Sequence, residues 1–176
     1  MDAKGGSAAM SELQNGFKSA MRGLASTVCV LAAQTPQGPK GMTATAVMSL
    51  SMEPPSLALA VNRSASIAPD LEEGAHVSVQ FLSEGQAEVA RAFAGGLPGY
   101  QRFACGRWEA DAWGTPMLLD ASASIACVID KCIAHATHNM IIAIVKAVRL
   151  SQGMRPLLYV HGEFTRLEAQ EGRMPA

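Results

Sequence analysis

Apolar residues recur at helical spacing near the start of the chain and at two-residue spacing through much of the rest. Leu13, Phe17, Met21 and Leu24 share one helical face, and Ser11 with Gln14 makes a capping-box pair. The pattern predicts a short amphipathic helix from about Glu12 to about Gly23. Thr27 to Ala33 is β-branched and apolar, and the prolines and glycine of Thr35 to Pro39 then turn the chain back into a hairpin. Ser56 to Val61 and Val77 to Phe81 alternate and read as strands. Between and after them, Ser66 to Gly74 has a Ser cap and a terminal Gly, and Gly85 to Ala94 sets Val89, Ala90 and Phe93 on one face, predicting two short helices. Gly95 to Gly99 breaks the chain, and the stretch to about Pro116 reads as irregular but packed by Phe103, Trp108 and Trp113, a lid or a dimer contact. Ser124 to Ile133, Met140 to Leu150 and Pro156 to Leu167 read as three long strands of a meander.

About seven strands with only short helices between them, and no sustained βαβ alternation, predict a mainly β fold closed as an antiparallel barrel. The 176-residue length suits one domain, placed at 11–170, with a flexible leader over 1–10 and a tail over 171–176. The chain is 49% apolar but only 16% charged, well below the roughly 25% usual for soluble domains. That balance excludes intrinsic disorder and implies that part of the surface is uncharged or covered, for which homo-oligomerisation is the simplest account. Lys and Arg number 14 against 15 Asp and Glu, with no basic tract, so nucleic acid is not an expected partner. The leader lacks the apolar core of a signal peptide, and the longest charge-free stretch, Gly23 to Pro39, is too polar to span a bilayer as a helix. No CxxC occurs among Cys29, Cys105, Cys127 and Cys132, which suits reduced, buried thiols and a cytoplasmic protein.

The two common Gly-rich phosphate cradles, GxGxxG and GxxxxGK[ST], are absent. Uncharged polar groups concentrate instead in Gly41 to Pro55, with hydroxyls at Thr43, Thr45, Ser49 and Ser51 among small residues, and in Asn62-Arg-Ser-Ala-Ser66. Small side chains let a flat ring approach the backbone, whose N–H groups can bond a heterocycle's carbonyl edge, while the Asn/Arg/Ser turn offers donors to a phosphate. This combination suits a flavin mononucleotide. The same hydroxyl spacing also describes the polar face of a half-buried strand, and Asn62 to Ser66 an ordinary turn before a capped helix. Cys132, His135 and His138 repeat every third residue, but without a second ligand pair they make a weak zinc pattern, and no metal is expected.

From about Phe17 to about Leu167 the chain resembles the flavin reductase-like FMN-binding split barrels, which include reductase components of two-component flavin-dependent monooxygenases. The resemblance rests on Gly41-Met-Thr-Ala-Thr-Ala-Val-Met-Ser-Leu-Ser-Met-Glu-Pro-Pro55, on Asn62 to Ser66, and on Gln86, Ala90 and Phe93 at family spacing. It is completed by Trp108 with Gly114-Thr-Pro116, by Cys127 with His138, and by Pro156-Leu-Leu-Tyr159. It implies a homodimeric Greek-key split barrel that binds FMN, or FAD, near the subunit interface and reduces it with NADH or NADPH, supplying reduced flavin to a partner monooxygenase. Carried over by residue, Thr43, Ala44 and Thr45 would lie along the isoalloxazine, and Ser49, Leu50 and Ser51 would meet its pyrimidine side and ribityl chain. Asn62, Ser64 and Ser66 would hold the phosphate, Phe93 would lie near the flavin, and His138 would serve on the nicotinamide side. Two features depart from the family: Ala136-Thr137 stands where Gly-Asp is usual, and Ala143 where Gly is common. A non-catalytic flavin carrier or sensor of the same fold stays open on those departures. An oxidase acting on a B6 vitamer would need a more basic pocket than Arg63 and its neighbours provide.

Overall fold

In the computed structural model, which describes residues 3–95, 97–153 and 155–168, the N-terminal helix α1 runs Ala3–Arg22. It therefore starts inside the stretch read as a leader. Met1, Asp2 and the tail at 171–176 lie outside the described residues. The apolar face of α1 is not buried: Leu13, Phe17, Met21 and Leu24 are all exposed.

The apolar run that follows serves two sheets. β1 (Ser26–Thr27) pairs with β11 (Leu158–Val160), whereas β2 (Cys29–Thr35) pairs with β3 (Gly38–Ala44) and β6 (His76–Phe81). Val28 makes the change of partner, its N–H donating to the Leu157 carbonyl while its own carbonyl accepts from Leu82. Along β2 the side chains alternate between two cores. Cys29, Leu31 and Ala33 enter the barrel interior, while Val28 and Val30 pack with Leu82, Val89, Phe93 and Leu118 on the outside. That is why this strand is apolar at nearly every position.

The principal sheet also contains β4 (Val47–Met52), β5 (Pro55–Asn62), β9 (Ala123–His135) and β10 (His138–Leu150), in the order β3-β2-β6-β9-β10-β5-β4 with every pairing antiparallel. Its two edge strands, β3 and β4, are consecutive in the chain and separated only by Thr45 and Ala46. The sheet must therefore curl until its edges meet at that corner, which produces the expected split barrel. Bulges between β9 and β10, at Ile142/Ala143 and Val145/Ala147, help to bend the two longest strands.

Three other expectations change. Ser66 to Gly74 holds only a 3-10 turn, Ala68–Asp70, because Pro69 has no N–H to continue an α-helical ladder. The third long strand is a hairpin: His161 and Gly162 adopt positive φ, 54° and 90°, and divide it into β11 and β12 (Glu163–Thr165). The helix expected over Gly85 to Ala94 is present as α2 (Ala87–Phe93), but the stretch after it is more regular than expected, with α3 (Gly99–Arg102) and a hairpin of β7 (Trp108–Ala110) and β8 (Pro116–Leu118). Of the aromatics expected to pack it, Phe103 and Trp108 do, their rings and that of Phe93 lying 5.0–5.3 Å apart between centroids, whereas Trp113 is exposed and stacks on His76 at 5.1 Å.

The β8 strand covers polar side chains that alternation alone would send to solvent. Ser78 and Gln80 are fully buried and donate to the Pro116 carbonyl, Gln80 Oε1 accepts from Leu118 N, and Ser124 donates to the Leu118 carbonyl at 2.9 Å. Their hydrogen bonds compensate a burial that would otherwise be costly.

Gly41 sits where β3 crosses the aromatic cluster, and a Cβ there would lie 2.7 Å from Phe93 Cε1 and 3.0 Å from the Leu31 carbonyl oxygen. Because Phe93 is locked between Phe103 and Trp108, Gly41→Ala should destabilise the fold by about 1–3 kcal/mol, read as a lowered urea midpoint with an unchanged m-value.

Candidate functional site

Three anchors fix the end of β3. Thr43 Oγ1 donates to the Ala90 carbonyl at 2.6 Å, Arg102 Nη1 donates to the Gly41 carbonyl at 2.9 Å, and the Phe93 ring lies against Gly41. Beyond these anchors Thr43, Ala44 and Thr45 form one wall of a cleft of about 600 Å3. Its other walls are Arg91 and Ala94 from α2, and Tyr159, Gly162, Glu163 and Phe164 from the β11–β12 hairpin. Arg91 lies over the Phe164 ring, 5.4 Å from its centroid, and pairs with Glu88; the Tyr159 and Phe164 rings meet edge to face at 5.5 Å. Small residues on one side and aromatic faces on the other make a slot for a flat ring, with one guanidinium at its rim.

Thr45 also lines a second cleft of about 550 Å3, where Ser26, Thr27 and Ser49 add hydroxyls. A third, of about 460 Å3, lies between α1 and the Thr45-Ala46 corner. The corner of the barrel is thus shared by all three cavities.

The Asn62 turn and the His138 turn are brought together by sheet register, Asn62 lying opposite His138 across β5 and β10. Asn62 Oδ1 accepts from both Ser64 N–H (2.9 Å) and Ser64 Oγ (2.8 Å), and Arg63 binds the His138 turn through Thr137 O and Ala136 O. Thr137 Oγ1 stands 2.9 Å from His138 Nδ1, so a hydroxyl orients the imidazole. The corner is close along the sheet, since Ala60, two residues before Asn62, donates to the Ala46 carbonyl.

The model of the flavin reductase like domain matches residues 21–168. The chain belongs to the flavin reductase-like family. The FMN reductase (NADH) RutF of Pseudomonas syringae pv. syringae is 34% identical over 163 residues, covering 93% of this chain and 90% of that protein. The Escherichia coli K12 protein of the same name is 33% identical and covers 77% and 82%. Among solved structures, a flavin reductase domain protein from Arthrobacter sp. FB24 superposes with a TM-score of 0.82 at 25% identity, over 92% of this chain and 99% of that one.

In this flavin reductase-like chain the expected residues fall into separate groups. Thr43, Ala44 and Thr45 line the first cleft, and Ser49 lines the second. Leu50 is the extra residue of a bulge between Ser49 and Ser51 and is exposed. Ser51 is engaged locally, its Oγ accepting from Glu53 N at 3.0 Å. Asn62, Ser64, Ser66 and His138 are exposed at the two facing turns. Phe93 lines neither of the two clefts; it is 1% exposed and supports β3 from behind. Sequence reasoning missed Arg91, Glu163 and Phe164. The aromatic pair around Gly162 was the available signal, but it was hidden by reading Pro156 to Leu167 as one strand.

Of the buried cysteines, Cys29 lines the second cleft and Cys127 lies in the barrel interior. Burial pushes the Cys29 and Cys127 thiols up to about 12, so neither supplies a thiolate near neutral pH. In the native protein at about pH 8, a maleimide should label the half-buried Cys105 and Cys132 while sparing Cys29 and Cys127 until denaturant is added; peptide mapping of the label reads the difference.

Proposed function

We propose that this chain is an NADH-dependent FMN reductase that passes reduced flavin to a partner monooxygenase in the cytoplasm. The observation that carries the reading is the junction at Thr45 of a flat, small-residue and aromatic cleft with a hydroxyl-lined second one, in a chain of this family. The lining fits a flavin: Ala44, Ala94 and Gly162 leave room for a ring, and Tyr159 and Phe164 offer aromatic faces. FMN and NADH are preferred to FAD and NADPH because the curated relatives are named for them.

A flavin held by these residues would supply the redox chemistry, as acceptor of a hydride from the nicotinamide. The chain's residues orient the reactants and set the field around them. Thr43, Ala44 and Thr45 position the ring edge, and Arg91 puts a positive charge at the rim, favouring an electron-rich ring. Asn62, Ser64, Ser66 and Arg63 provide phosphate donors at one exposed turn, with His138 facing them from the next strand. The bond between Thr137 and His138 supports catalysis over the carrier reading, because the orienting role usual for Asp is taken by a hydroxyl.

A homodimer follows from the outer face of the principal sheet. Register places Met48, Ala58 and Ile142 side by side, the row ending at Lys131, with Ala60, Met140 and Ile133 in the adjacent row, so a largely apolar band lies where a solvated face should be polar. Met48, Ile133 and Met140 are each at least half exposed, and a second copy of the chain would cover them.

The purified protein should sediment as a dimer, turn yellow with FMN at micromolar concentration and bleach when mixed anaerobically with NADH. Failure to take up flavin refutes the proposal; flavin uptake without bleaching supports a carrier instead. Ser64→Asp should abolish FMN retention by repelling the phosphate, whereas His138→Ala should slow bleaching by NADH and leave FMN affinity intact. Equilibrium titration and stopped-flow absorbance separate the two effects.

A further inference from the structure

We infer that the groove between α1 and the barrel corner binds the adenosine-diphosphate end of the nicotinamide coenzyme. The inference rests on the reading of the neighbouring cleft as the flavin site. Two rows of side chains run along this face of α1, each stepping by one helical turn: Phe17 and Met21, and beside them Lys18 and Arg22. All four line the groove, together with Leu24, and face Ser26, Thr45 and Tyr159 across it.

An apolar row beside a cationic row matches a ligand that carries a flat ring next to a diphosphate. Adenine would lie against Phe17, Met21 and Tyr159, and the diphosphate between Lys18 and Arg22, with the Ser26 and Thr45 hydroxyls as further donors. Among the described residues neither Lys18 nor Arg22 forms an ion pair, so both charges are available to a ligand.

The groove is built into the fold. His161 N–H donates to the Arg22 carbonyl at 2.7 Å, tying the last turn of α1 to the β11–β12 hairpin that walls the first cleft. Thr45 and Tyr159 are common to the groove and that cleft. A dinucleotide anchored at Lys18 and Arg22 therefore has its other end directed past Thr45 toward the ring slot. The Phe17–Met21 part of the exposed apolar face of α1 is thereby accounted for as a ligand surface; Leu13, on the same face, does not line the groove.

The probe is ADP-ribose, titrated calorimetrically into the full-length protein with FMN present and, separately, without it. Wild type should bind it, and the double variant Lys18→Gln/Arg22→Gln should bind roughly tenfold more weakly while remaining a dimer with unchanged FMN affinity. The KM for NADH should rise in step. Phe17→Ala should weaken ADP-ribose as well, through loss of stacking. Absence of ADP-ribose binding by wild type, or equal binding by the double variant, overturns the inference. Conversion of the double variant to a monomer does so too, since the rows would then be a contact between copies. Binding of ADP-ribose that depends on Lys18 and Arg22, in a protein that takes up no FMN, would refute the flavin reading and leave the groove assigned.

Discussion

Closure of the principal sheet on itself is the constraint from which the rest of the structure follows. Its edge strands, β3 and β4, are neighbours in sequence with two residues between them, so their unpaired backbone groups must converge at the Thr45-Ala46 corner. A sheet edge is normally a liability, because it offers backbone hydrogen bonds to any passing strand. Here the split is turned inward and flanked by α1, α2 and the β11–β12 hairpin. The helix α2 and the hairpin together wall one cavity against the corner, α1 walls another, and the strands themselves enclose a third; Thr45 faces all three.

The same closure explains the unusual balance of composition. Closing the barrel gives β2 two apolar environments, one inside and one beneath α2, and consumes the alternating residues of both faces. Burying Ser78, Gln80 and Ser124 beneath β8 removes further polar groups from the surface. The outer band at Met48, Ile133 and Met140 leaves little of that face to charged residues. Of the chain's 14 Lys and Arg residues, Lys18, Arg22 and Arg91 line cavities and Arg63 binds the facing turn, while Arg107, Lys131 and Arg149 sit in exposed ion pairs.

A site of this kind needs no strongly perturbed acid or base. A redox cofactor brings its own reactivity, and the protein's part is to hold flat rings in register and to place charge near them. The arrangement at the corner agrees: backbone and hydroxyl donors, aromatic walls, one guanidinium, and thiols so buried that they stay protonated. Thr137, standing against His138 where the family usually has Asp, shows how a neutral group can keep an imidazole oriented at lower charge.

Local pattern determined much of this protein. Alternation marked β5 and β6, apolar β-branched composition marked β2, β9 and β10, the helical spacing of apolar residues marked α1, and the Gly41 to Pro55 motif pointed to the family. Alternation by itself does not decide which face is wet: Ser78 and Gln80 repeat like solvated residues and are buried because β8 arrives from almost forty positions away. Phe93 shared the motif's spacing with flavin contacts, yet three-dimensional packing makes it the support of Gly41. The Pro156 to Leu167 run concealed a hairpin because positive φ at His161, a non-glycine residue, is set by its tertiary bond to Arg22. Chain-local pattern carries the information for strands and for the hydroxyl-rich corner, because sterics and solvent act there residue by residue. The walls opposite that corner, from Arg91, Tyr159, Phe164 and α1, are distant in sequence, and only closure of the barrel brings them within reach.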